Sequence, residues 1–182
     1  MSTSQTEITE PASTDPATYE HGTDGAGSQY LTFMLGGEHY AVDTLRVQEI
    51  KGWTPVTCIP HTPDYIRGVL NLRGTIVPIL DLRMRFCLEK AEYTPLTVTI
   101  VLSVRTGEGE RVIGVVVDAV SDVLNVDARD IKPTPDFGSA VNTEFVSGLA
   151  AAGEQMVIVL DIDRMLTMEE IEMIAAIEAQ QE

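Results

Sequence analysis

Gly68-Val69-Leu70-Asn71-Leu72-Arg73-Gly74-Thr75-Ile76-Val77-Pro78-Ile79-Leu80-Asp81 has an echo in the second half of the chain. There Gly148-Leu149-Ala150 opens a stretch that ends in Met156-Val157-Ile158-Val159-Leu160-Asp161. The interval from Gly to Asp is 13 residues in both copies. Each copy is apolar, broken by a turn, and continues into a short Arg/Met segment, Leu82-Arg83-Met84 in one and Ile162-Asp163-Arg164-Met165 in the other. Repetition at fixed spacing marks a repeated structural unit, and two apolar runs around a turn mark a hairpin.

The repeat extends upstream. Val42-Asp43-Thr44-Leu45 is matched by Val117-Asp118-Ala119-Val120, each after a strand, a turn and a strand. Tyr30 to Leu35, the turn Gly36-Gly37 and Tyr40-Ala41-Val42-Asp43 form the first such hairpin. Thr97 to Val104 begins the second: Val98, Ile100, Leu102 and Val104 point one way, and Thr97, Thr99 and Ser103 the other. Gly107-Glu108-Gly109 turns the chain, and Arg111 to Asp118 returns. Pro78, inside an apolar run, predicts an edge or a bulge, because proline cannot donate to a ladder. The expected fold is all-β, with two similar units over 30–93 and 97–166. Units this small with frequent turns favour barrels, in which closure removes exposed sheet edges. A helix is predicted over 168–179, with Met168, Ile171, Ile174 and Ala175 on the packed face and Glu169, Glu170, Glu172 and Glu178 in solvent.

Residues 1–28 are rich in small and polar side chains, with five acids and no Lys or Arg. That composition predicts a disordered acidic tail. No apolar run approaches the roughly 20 residues a membrane-spanning helix needs, and the N-terminus has no secretory pattern. The expected location is the cytoplasm. A net charge of −16 disfavours nucleic acid and anionic lipid as partners. Cys58 and Cys87 lack metal-ligand spacing and are expected to be reduced thiols in or near the core.

Chemistry is hard to place. His21 falls in the tail, His39 at a hairpin turn and His61 between Pro60 and Pro63, none in a nucleophile-activating context. Asp81, Asp161 and Asp163 sit where strands give way to turns, where Asp is favoured as a cap. The chain has no phosphate loop, zinc motif or dinucleotide fingerprint. No enzyme activity, cofactor or metal is expected.

The stretch Asn71 to Arg83 closely resembles the core signature of CheW, the family of bacterial chemotaxis coupling proteins. Val47-Gln48-Glu49-Ile50, Gly114 to Asp118, Val120 to Leu124 and Phe145 to Leu149 agree in order and spacing. The resemblance covers about 29–175; the acidic tail and a longer hairpin at Arg105 to Glu110 depart from it. It implies two five-stranded SH3-like barrels and a scaffold that couples methyl-accepting chemoreceptors to the histidine kinase CheA. It also implies membership of a receptor array, with rings built with the kinase or by the scaffold alone. Non-flagellar chemosensory pathways use similar adaptors. A small all-β enzyme or an oligonucleotide-binding barrel would share the strand pattern, but the absent catalytic constellations and the acidity count against them.

Carried over by position, the resemblance assigns Val47, Glu49, Gly68, Arg73, Val98, Gly114, Val120 and Val123 to a receptor-binding groove between the barrels. It assigns Phe137, in Pro135-Asp136-Phe137, to the kinase or ring interface. An apolar groove suits helical receptor tips, and an aromatic beside prolines makes a rigid anchor. The valines also fit a core, and the glycines a backbone requirement. Glu49 and Arg73 are the pair expected to meet across neighbouring strands.

Overall fold

The computed structural model describes residues 27–135 and 143–180. In chain order the strands are β1 (Ser28–Leu35), β2 (Glu38–Asp43), β3 (Val47–Gly52), β4 (Ile66–Leu72), β5 (Thr75–Asp81), β6 (Val98–Thr106), β7 (Gly109–Val117), β8 (Ala119–Val126), β9 (Val146–Ala152) and β10 (Gln155–Leu160). Helix α1 (Leu82–Arg85) follows β5, and α2 (Met168–Ala179) ends the described chain. Turn chemistry acts where the sequence places it. Gly36 and Gly37 (φ +60° and +84°), and Arg73 and Gly74 (φ +53° and +87°), make two-residue hairpin turns with both φ positive, as the sheet's twist favours.

The strands form two five-stranded sheets, ordered β3-β6-β7-β5-β4 and β8-β1-β2-β10-β9. Substituting β3 by β8, β6 by β1, β7 by β2, β5 by β10 and β4 by β9 turns one order into the other. The repeat is therefore real, but the two units are not the two barrels. Each half of the chain contributes a hairpin to one sheet and three strands to the other. β1–β2 joins β8, β9 and β10, and β6–β7 joins β3, β4 and β5. This corrects the expectation of consecutive barrels at 30–93 and 97–166. Hairpin and turn signals are local, whereas the exchange is decided by two short parallel ladders, β2 on β10 and β5 on β7.

Closure of each sheet is visible at one bridge. In the β3 barrel Thr57 and Val69 exchange backbone hydrogen bonds of 3.0 and 2.9 Å; in the β8 barrel Lys132 and Leu149 exchange two of 2.8 Å. The repeated glycines lie beside these bridges. A Cβ on Gly68 (φ +141°) would stand 2.2 Å from the Thr57 carbonyl oxygen, and one on Gly148 2.6 Å from that of Lys132. Backbone approach this close excludes any side chain.

Strand faces sort into three apolar clusters. Leu31, Phe33, Leu35, Tyr40 and Val42 from one sheet meet Ile100, Leu102, Val104, Ile113, Val115 and Val117 from the other, with Ile171 and Ile174 of α2 in the same cluster. Val77, Ile79, Val101 and Val116 fill the β3 barrel, and Val126, Ala150 and Val159 the β8 barrel. The predicted alternation in β6 holds, yet both faces are buried: Thr99 is 3 % and Ser103 5 % exposed. One face looks into the barrel and the other into the shared core.

Three expectations need correction. Pro78 is neither at an edge nor at the bulge; it lies in β5, between β4 and β7. The ladder to β7 starts only at Ile79, so the missing N–H falls just outside it. Met168 is 64 % exposed and Glu170 only 5 %, because Glu170 closes the capping box on Thr167 and turns inward. Cys58 and Cys87 are free, as expected, but exposed. The acidic tail expected over residues 1–28 lies almost wholly outside the described residues.

Gly68→Ala should cost about 3 kcal/mol in urea unfolding, from the clash with Thr57 and the positive φ together. Gly107→Ala, with open space around its Cβ, should stay within about 0.5 kcal/mol.

Candidate protein-binding site

Glu49 lies in the middle of β3, opposite Val101 of β6, and Arg73 is the first residue of the β4–β5 turn. Their side chains form an ion pair, with Arg73 82 % and Glu49 32 % exposed. The pair stands at the rim of a recess of about 290 Å³ whose other lining residues include Leu72, Val77, Val101 and Val112. The expected partnership of Glu49 and Arg73 is therefore present in the structure, at the end of the β3 barrel, but not across neighbouring strands: β3 and β4 stand at opposite ends of the sheet order.

The other residues of the expected groove divide into groups. Val47, Val98 and Val120 are half-buried and pack against the shared core. Val123, on edge strand β8, is 48 % exposed. Gly68 and Gly114 are buried, and a Cβ on Gly114 would lie 2.5 Å from Ile79 Cδ1. Both glycines answer to packing in the β3 barrel. Phe137 lies outside the described residues.

Sequence reasoning missed the polar contacts that hold the exchanged hairpins. Asp118, on the link from β7 to β8, accepts two bonds from Arg83 (2.7 and 2.9 Å) and one from the Gly36 N–H (2.9 Å). That arrangement ties the crossover to α1 and to the β1–β2 turn. Arg46, on the link from β2 to β3, pairs with Asp163 and donates to the Ser103 carbonyl, while Asp163 also accepts from the Arg105 N–H. The two links are thus pinned alike with the charges reversed. The side-chain bond to Asp118 holds the Arg83 guanidinium more firmly charged than usual. The Val-Asp echo at 42–43 and 117–118 was the one trace of this in the sequence. Two of the three expected caps are present as well: Asp81 accepts from the Met84 N–H and Asp161 from the Asp163 N–H, whereas Asp163 is taken up by Arg46 and the Arg105 N–H.

A third cluster seats α2. The Tyr65 hydroxyl donates to Glu170, Arg85 Nε stands 3.4 Å from the same carboxylate, and the Arg85 guanidinium lies 5.1 Å from the Tyr65 ring centroid. At the other end of α2, Glu178 pairs with Arg111 of β7. Burial first, and the bond to Glu170 second, push the Tyr65 phenol from 10.0 up to about 12. Among the described residues no group of three or more His, Cys, Asp or Glu is placed to hold a metal.

The fold and these contacts define the class: an all-β module of two interlocked SH3-like barrels, sharing a core and closed by a C-terminal helix. The model of the CheW-like domain matches residues 29–170. The chain is 49 % identical to chemotaxis protein CheW of Klebsiella aerogenes, over 81 % of this chain and 87 % of that one. It is 41 % identical to chemotaxis protein CheW of Rhizobium meliloti, over 84 % and 96 %. Among solved structures, the scaffolding protein TtCheW of Thermoanaerobacter tengcongensis superposes with a TM-score of 0.69 at 32 % identity, over 76 % of this chain and 92 % of that one. The chain belongs to the CheW-like family.

Because the folded state holds the Tyr65 proton more tightly than the unfolded chain, this group's contribution to stability is constant below pH 10. It is lost as pH climbs from 10 towards 12. Glu170→Gln should narrow that decline, by returning the Tyr65 phenol towards its ordinary value. Urea unfolding across this pH range, with phenolate absorbance as a second readout, checks it.

Proposed function

We propose that this chain is a non-catalytic chemotaxis scaffold, which couples the cytoplasmic tips of methyl-accepting receptors to the regulatory domain of the histidine kinase CheA. The observation that carries the reading is the extent of family likeness, 142 matched residues including every strand but the first residue of β1. The exposed Glu49–Arg73 pair supports it, since an ion pair of this exposure contributes only about 0–1 kcal/mol to folding. A side chain so placed is free to serve a partner. In this reading Val47, Val98, Val120 and Val123 line the receptor groove, Gly68 and Gly114 shape the barrel behind it, and Glu49 with Arg73 orients the bound helix. Phe137 serves the kinase or ring interface.

The scaffold acts in the cytoplasm and is recruited to receptor arrays at the membrane; among the described residues no helix is long and apolar enough to cross one. A second reading is an adaptor of another chemosensory pathway. It draws on one relative with a different name, Protein FrzA of Myxococcus xanthus, 30 % identical over 70 % of this chain.

Kinase autophosphorylation, measured with receptor-containing membranes with and without this protein, tests the proposal. Receptor-dependent activation that requires the protein is the expected result. No effect with a matched kinase and receptor shifts the weight to the second reading. Arg73→Glu should lower receptor affinity about tenfold or more while melting moves little. Equal loss of folding and binding would sink the assigned role of the pair.

A further inference from the structure

At another part of the β3 barrel sits a cluster that none of this uses. Arg67, on β4, is half-buried, and its Nε is enclosed without a hydrogen-bond partner. The other half-buried arginines among the described residues, Arg46, Arg83, Arg85 and Arg111, each pair with a carboxylate. Arg67 has none. Its guanidinium lies 5.9 Å from the Tyr93 ring centroid, interacts with the Tyr93 hydroxyl and stands 3.9 Å from the Met84 sulfur. Neither offers the charge that five N–H donors on a partly desolvated cation call for. Asp81, the nearest acid in this chain of contacts, is already taken up by the Tyr93 hydroxyl (2.7 Å) and the cap of α1.

The surroundings are those of an interface. Trp53, the single tryptophan of the chain, packs against Tyr93 with centroids 4.3 Å apart, and both are half-buried. Leu96 is 70 % exposed on the same loop, next to Thr97, whose carbonyl accepts the Trp53 N–H at 3.0 Å. Trp, Tyr, Arg and Met are the residues enriched at protein interfaces and their energetic centres. An exposed leucine beside them adds apolar surface that a small inorganic anion would leave uncovered.

We propose that Arg67, Trp53, Tyr93, Met84 and Leu96 form a second docking surface for an acidic amphipathic segment of a partner protein, whose carboxylate pairs with Arg67 while its apolar side covers Leu96 and Trp53. The surface is separate from the Glu49–Arg73 pair and does not depend on the receptor–kinase reading. In a chain of net charge −16, an arginine with no carboxylate partner among the described residues, in an aromatic setting, is a selective point of attraction for a carboxylate.

Trp53 is a built-in reporter. The full chain is titrated with a tryptophan-free amphipathic peptide of leucine and glutamate, and with its glutamine counterpart, while Trp53 emission is followed. The expected result is a saturable shift, with the glutamate peptide bound about tenfold more tightly. Arg67→Gln should abolish that preference, Leu96→Ser should weaken both peptides, and Arg73→Glu should change neither. Melting temperatures confirm that each variant is folded, and Leu96→Ser, at an exposed position, keeps the test open if Arg67→Gln is not. No saturable shift, equal binding of the two peptides, or loss of binding in Arg73→Glu alone would overturn the proposal. Because neither receptor nor kinase enters the assay, its failure is distinct from failure of the coupling function.

Discussion

Two ladders of three residue pairs, β2 beside β10 and β5 beside β7, are the contacts on which the whole architecture rests. They are the parallel pairings between named strands; every other ladder is antiparallel. Through them each half of the chain receives the hairpin of the other. Neither sheet can reach five strands from its own half, so barrel closure, the shared core and the seating of α2 all presuppose the exchange. Non-local pairing of this kind carries a loop-closure cost that only the completed core offsets. Folding is accordingly expected to be cooperative across both barrels.

The exchange explains where the polar residues went. A chain that crosses from one barrel to the other at Thr44–Arg46, and again at Asp118, must satisfy exposed backbone at both links. It does so twice with one design and opposite charges: Arg46 on Asp163, Asp118 on Arg83. These pairs are half-buried and also bond backbone groups, so they specify geometry more than they add stability. The same reasoning separates them from Glu49–Arg73, whose guanidinium is exposed and, among the described residues, bonds no backbone group.

Function in such a module follows from surface, and surface is what the two barrels multiply. Edge strands β3 and β8 occupy matching places in their sheets and bear the exposed apolar side chains Ile50 and Val123. The mouth of the β3 barrel carries the ion pair, and the Trp53–Tyr93 cluster lies apart from it. The shared core holds these faces in fixed relation.

Much was legible in the residues themselves. The Gly-to-Asp repeat, the hairpin at Gly36-Gly37, the alternation of β6, the helix over 168–179 and the capping role of Asp81 and Asp161 are all local chemistry: φ preference, side-chain period and short-range hydrogen bonds. The meeting of Glu49 with Arg73 came from family likeness and is upheld by the contact. What local chemistry could not reach was partnership at a distance. Whether β1–β2 completes its own half or the other leaves every turn and period unchanged, so only the packed structure distinguishes them. For the same reason Glu170, one acid among several on α2, reads as a solvent-facing residue until Tyr65 and Arg85 are brought beside it. Gly68 and Gly148 show the two levels at once: the sequence by itself marked them as equivalent, and the tertiary structure supplied the reason, a neighbouring carbonyl too close for any side chain.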